Sequence, residues 1–232
     1  PAACGPKPGD RSTGILQQYS VLPLFARVRF GKWQALLEDM LPPDGPEPYP
    51  HAIWQYARGT AYAKTGRLPE ARAVLARLDA LAADPALAQV KVKNINAASA
   101  LVQIARLTLI ADIAAAEGRI ADAVPLLEQA VAIEDTLAYD EPHLWLAPTR
   151  HALGAALLAA GRHDDAARVY REDLAHYPAN GWSLAGLADA QRRAGRSDEA
   201  AATLAQARDA WRRADVPLTG SRKVPFAREI FI

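Results

Sequence analysis

The stretch APTRHALGAALLAAGRHDDAARVYREDLAHYPAN, residues 147–180, is followed without a gap by GWSLAGLADAQRRAGRSDEAAATLAQARDAWRRA, residues 181–214. Laid over one another, the two put Leu153 on Leu187, Gly154 on Ala188, Ala166 on Ala200 and Tyr170 on Leu204. Each half has two Ala- and Leu-rich helical runs separated by a glycine. A fixed internal period of this kind marks a stack of repeated supersecondary units.

The turn at the centre of each unit spreads the pattern over the chain. GRLPEA (66–71), GRIADA (118–123), GRHDDA (161–166) and GRSDEA (195–200) all read Gly-Arg-x-x-acid-Ala. The glycine suits a left-handed cap that ends one helix. The acidic residue falls in the first turn of the next helix, where the helix dipole favours it. The small alanine lets the two helices cross closely. A weaker copy precedes them at Gly31, within VLPLFARVRFGKWQALLEDM (21–40), where Leu36 replaces the alanine.

Period, turn and packing residues together resemble the tetratricopeptide repeat, including the late proline, Pro178. In 52–85, Gly59, Tyr62, Gly66, Ala71 and Leu75 occupy that family's positions; in 104–137, Gly118, Ala123, Leu127 and Ala130 do so, with Ala111 where glycine is usual. The expected fold is all-α: a tetratricopeptide-type α-solenoid, a right-handed superhelix of about five antiparallel helix hairpins. The repeats are expected near 17–41, 52–85, 104–137, 147–180 and 181–214, within an array over 15–214. Residues 1–14 are expected to be a mobile segment. Residues 215–232 form a C-terminal tail whose Phe226, Ile230, Phe231 and Ile232 are expected to dock on apolar surface and cap the last repeat. The proline-rich LPPDGPEPYP (41–50) is read as a connector that breaks the helix. The stretch 86–104 is read as a lengthened first helix or an extra short one.

One further segment, YDEPHLW (139–145), sits in the excess length before the third well-formed repeat. Pro142 suits a helix's first turn, with Asp140 as N-cap and Glu141 at the positive end of the dipole. Tyr139 and Trp145 would pack on either side of the cap. His143 has no role in that reading. YDEPHLW, VYREDL, NGWSL, RFGKW (29–33) and YARG (56–59) are also similar to a family of large bacterial tetratricopeptide proteins, over roughly residues 21–222. That resemblance implies a bacterial origin, more hairpins on the N-terminal side and no established enzymatic activity. The chain, which starts PAACGPKPGD, is accordingly read as a portion of a longer protein.

Composition narrows the function class. Of the 232 residues, 50% are hydrophobic and 23% charged, a balance that folds, and the net charge of +1 offers no broad basic surface for nucleic acid. The best membrane-span candidate, Ala100–Ala116, is interrupted by Arg106 and Asp112, so no span is expected. The single cysteine, Cys4, excludes an internal disulfide and leaves cytoplasm and periplasm both open. No metal ligand set is spaced correctly, no Gly-x-Ser-x-Gly or phosphate loop is present, and Ser183 reads as a cap or first-turn residue, so catalytic, metal and cofactor assignments are all none.

The tetratricopeptide resemblance implies a non-catalytic scaffold that holds a peptide or helix of a protein partner in a concave groove. Carrying over the groove positions gives Tyr56, Thr60 and Lys64, then Thr108 and Asp112, then His151 and Leu158, then Trp182, Asp189, Arg192 and Arg193. The alternative is a helical accessory domain of a larger protein or assembly whose chemistry or metal site lies outside or at the edge of this chain. Self-association through the N-terminal hairpin is a further expected mode.

Overall fold

The computed structural model describes residues 11–38, 42–43 and 46–222. Among them are eleven α-helices and one short β-hairpin. The chain divides into two compact units, Pro1–Ile113 with Ala132–Leu146, and Ala114–Val131 with Ala147–Ile232.

The first unit contains α1 (Arg11–Arg29), α2 (Trp33–Glu38), α3 (Pro48–Lys64), α4 (Leu68–Ala82), α5 (Pro85–Gln89), strands β1 (Lys91–Val92) and β2 (Asn96–Ala97), and most of α6 (Ala98–Ala116). Helix α3 packs against α1, α2 and α4. Its Gly59 allows the close approach: a Cβ there would sit 2.6 Å from Leu109 Cδ2 of α6. Leu24, Phe25, Leu36, Tyr49, Ile53, Leu78, Leu101 and Leu109 fill the core of this unit.

The second unit holds most of α7 (Ile120–Glu134), then α8 (Thr149–Ala159), α9 (His163–His176), α10 (Gly181–Arg193) and α11 (Ser197–Trp211). Within it α8 packs on α9, α9 on α10 and α10 on α11. Tyr170 of α9 lies against Gly154 of α8 and Gly186 of α10, and a Cβ on either glycine would collide with its ring.

All five turns share one construction. Gly31, Gly66, Gly118, Gly161 and Gly195 have φ of 63°, 78°, 79°, 75° and 79°. The amide after each glycine reaches back to the carbonyl five residues earlier, as Arg67 to Tyr62 and Arg162 to Leu157, both at 2.9 Å. With each glycine's own amide bonded to the carbonyl three residues back, as Gly66 to Ala63 at 3.3 Å, the closure is double and satisfies the orphan carbonyls of the helix end. The phrase has a second cause beyond the dipole. Its arginine pairs with its own acid: Arg67 to Glu70 at 2.7 Å, Arg119 to Asp122 at 2.6 Å, Arg162 to Asp165 at 2.8 Å. Ala71, Ala123 and Ala166 are fully buried where the helices cross.

Several expectations change. Helix α3 begins at Pro48, inside the supposed connector 41–50, because prolines in a first turn forfeit no intrahelical hydrogen bond. Helix α1 begins at Arg11, inside the segment expected to be mobile; residues 1–10, with Cys4, lie outside the described residues, as do Phe226, Ile230, Phe231 and Ile232. The stretch 86–104 does hold a short helix, α5, and the start of a long one, α6. Between them the chain makes an antiparallel hairpin pairing Lys91 with Ala97 and Val92 with Asn96. Lys93 and Asn94 take φ of 48° and 62° at its tip. By length and composition α6 is apolar enough to cross a membrane, unlike the expectation for Ala100–Ala116, yet 72% of that window is buried within the protein.

The largest correction concerns YDEPHLW. It starts no helix; α8 begins only at Thr149. Asp140 pairs with Lys93 at 2.9 Å instead of capping, and the Glu141–Pro142 peptide is cis. The Asn96 side chain holds the Ala138 amide and carbonyl at 2.8 and 2.9 Å, and Gln18 donates to the Leu144 carbonyl at 3.1 Å. Trp145 is buried, its ring 5.1 Å from Phe25 and 5.3 Å from Tyr56. Burial of the indole against residues distant in sequence outweighs the local preference for a helix start. His143 stands edge-on to Tyr139, 5.5 Å between ring centres.

Candidate interaction site

In the second unit the candidate residues gather on α8 and α10. His151 lies in the first turn of α8, and its Nε2 is 3.1 Å from Asp173 Oδ2 on α9 and 2.8 Å from Ser183 Oγ on α10. Ser183 also donates to the same Asp173 oxygen at 2.5 Å. All three side chains are buried. Burial alone would raise the Asp173 carboxyl, but the hydrogen bond and charge of His151, the Ser183 hydroxyl and the Arg150 charge together hold it below the ordinary carboxylate value. Asp173 Oδ1 is buried with no hydrogen-bond partner.

Serine, histidine and aspartate in contact invite a catalytic reading, and the geometry opposes it. A nucleophilic relay places the carboxylate on one ring nitrogen and the hydroxyl on the other. Here both face Nε2, the serine also bonds the carboxylate directly, and none of the three meets solvent. The cluster is a polar lock joining three helices. Asp173 escaped the sequence reading, although a signal existed. It continues the stripe Ala166, Val169, Tyr170 at helical spacing, so an acid falls on the buried face of α9. Of the two readings of Ser183 the structure has the first-turn one; the cap is Asn180, accepting from the Trp182 amide at 3.1 Å.

Further along α10, Asp189 accepts from Arg192 at 2.5 Å and Arg193 at 2.8 Å. Asp189 is 6% exposed at its side chain, Arg192 54% and Arg193 28%. Trp182 is half-buried, edge-on to Trp211 of α11 with 4.6 Å between ring centres. Leu158 is buried in α8.

In the first unit, Tyr56 is buried against Trp145, and Thr60 and Thr108 are buried with hydroxyls that have no hydrogen-bond partner. Lys64 and Asp112 are brought together as an ion pair of 2.9 Å with side-chain exposures of 8% and 0%. Among the described residues no group of three or more His, Cys, Asp or Glu is placed to hold a metal.

Models of the tetratricopeptide repeat match residues 54–77, 102–179 and 157–213. No curated protein matches the sequence. Among solved structures, a kinesin-light-chain-like protein of Podosopora anserina with nearly identical TPR-like repeats is 20% identical over 88% of this chain and 99% of its own, with a TM-score of 0.51. Its Q17M form gives 21% identity, 85% and 95% coverage and a TM-score of 0.53. MamA of AMB-1 is 22% identical, with 84% and 99% coverage and a TM-score of 0.49.

Proposed function

The chain is a tetratricopeptide repeat protein of the all-α solenoid class, and from that premise we propose that it is a non-catalytic protein-interaction module that holds a peptide or helix of a partner on the first helices of its repeats. Protein binding in general follows from the repeat family; the groove and its residues are the proposal. The observation that carries it lies at the end of α10. Two guanidinium groups share one carboxylate there, so one positive charge is left over, on side chains that reach solvent. A carboxylate of a partner segment meets that charge with two parallel hydrogen bonds. Trp182, on the same helix, adds a half-exposed aromatic anchor.

The test is cross-linked capture from the native cell with the full-length protein. A variant carrying Arg192→Gln and Arg193→Gln, folded by circular dichroism, is the control. Partners enriched on the unaltered protein and lost from the variant support the reading. Equal enrichment on both contradicts it.

The self-association reading has one supporting observation. Leu16, Tyr19 and Phe30 of the first hairpin are 58%, 51% and 39% exposed, at spacings that put them along one side of α1 and its C-terminal turn. A second copy of this face is the proposed occupant. Mass rising with concentration, and staying monomeric when Tyr19→Lys is introduced, supports it; a constant mass rules it out.

A further inference from the structure

The tail beyond α11 does not simply trail away. Arg212–Asp215 are exposed, but the Trp211 indole N–H then donates to the Val216 carbonyl at 2.6 Å and turns the chain back. Gly220 follows with a φ of 133° and is buried. Ser221 is 1% exposed, its hydroxyl 2.6 Å from that of Tyr170 and 3.4 Å from the His151 carbonyl. The Tyr170 ring runs between Gly154 of α8 and Gly186 of α10, so its tip marks the seam between the first helices of the last two repeats.

The segment 216–221 has neither helix nor strand, and one buried serine supplies its hydrogen bonds to α8 and α9. A strap with so few hydrogen bonds opens more readily than the helices it lies on. When it opens, the Tyr170 hydroxyl loses its bond to Ser221, and a hydrogen-bonding group on an incoming segment can take that place.

We propose that the α8–α9–α10 seam is a peptide-binding site occupied in cis by the chain's own segment Val216–Ser221, with the Ser221 hydroxyl as its recognition element on Tyr170. A partner peptide enters only by displacing that segment, which lowers its apparent affinity by the fraction of time the site stands open. This deepens the groove reading above and rests on it.

The experiment uses the full chain and a labelled peptide of its own residues 215–222, DVPLTGSR. Ser221→Glu puts a carboxylate where the structure is closed and ejects the strap. The Ser221→Glu chain, folded by circular dichroism, is expected to bind the peptide at least tenfold more tightly than the unaltered chain. Replacing serine with alanine in the peptide is expected to weaken that binding two- to tenfold, the loss of about one neutral hydrogen bond. In the unaltered chain, excess peptide is expected to speed tryptic cleavage after Arg222. Equal peptide binding by both chains, no binding by either, or cleavage indifferent to peptide overturns the proposal. That failure leaves the groove reading standing if capture still depends on Arg192 and Arg193; capture indifferent to them sinks the groove reading whatever the peptide does.

Discussion

His151 Nε2 and Asp173 Oδ2 lie 3.1 Å apart, on side chains 2% and 0% exposed, with Ser183 closing the triangle from a third helix. The hydrogen bonds overcome burial and keep the Asp173 carboxyl below its ordinary value. A carboxyl depressed by folding adds stability above its unfolded value, about 3.9, and loses that contribution as pH falls through the lower folded value. Acid unfolding followed by circular dichroism is therefore expected to begin at a higher pH in Ser183→Ala, which removes one of the depressing bonds. Asp173→Ala is expected to cost about 3 kcal/mol near neutral pH, because it strands the serine and the imidazole in a closed site. Near-neutral stability in Asp173→Ala, with the same acid midpoint as the parent, would remove the lock from the account.

Glycines of two kinds are distinguishable by substitution. Gly161 sits at φ 75° with nothing within 4 Å of a Cβ, so Gly161→Ala meets only backbone strain, about 1 kcal/mol in a urea midpoint. Gly154→Ala drives a methyl into the Tyr170 ring and is expected to cost about 2–3 kcal/mol. Leu204 stands in the repeat position that Tyr170 occupies. Tyr170→Leu should therefore relieve most of the Gly154→Ala penalty but none of the Gly161→Ala penalty, a coupling that a double-mutant cycle reads directly.

Within YDEPHLW the two aromatics have opposite weights. Trp145 is buried between Phe25 and Tyr56, whereas Tyr139 is 70% exposed. Trp145→Ala is expected to cost about 3–5 kcal/mol and Tyr139→Ala within about 0.5 kcal/mol. Comparable losses for the two would mean that the segment does not seat as described.

The repeated turn was legible because its needs are local. A left-handed residue, an arginine three residues from its acid and an alanine at the crossing all fall inside six positions. The tip of the β-hairpin carried a local signal too, in Asn94, which favours left-handed backbone. YDEPHLW was misread because what decides its shape is far away in sequence. Leu144 is gripped by Gln18, Trp145 by Phe25, and Asp140 by Lys93. The polar lock was half legible: the stripe on α9 marks Asp173 as buried, but the His151 and Ser183 that pair with it come from α8 and α10. Lys64 and Asp112, taken from the sequence as separate groove residues, meet as one ion pair.

The claim that a protein partner lies along the first helices is tested most directly by site-placed photo-cross-linking in the native cell. Benzoylphenylalanine replaces Ala194, at the end of α10 beside Arg192 and Arg193, in one strain and the exposed Arg208 on α11 in another. The account predicts a discrete cross-linked partner from position 194, with both arginines intact, and none from position 208. The same partner captured equally from both positions, or from 208 alone, would contradict it.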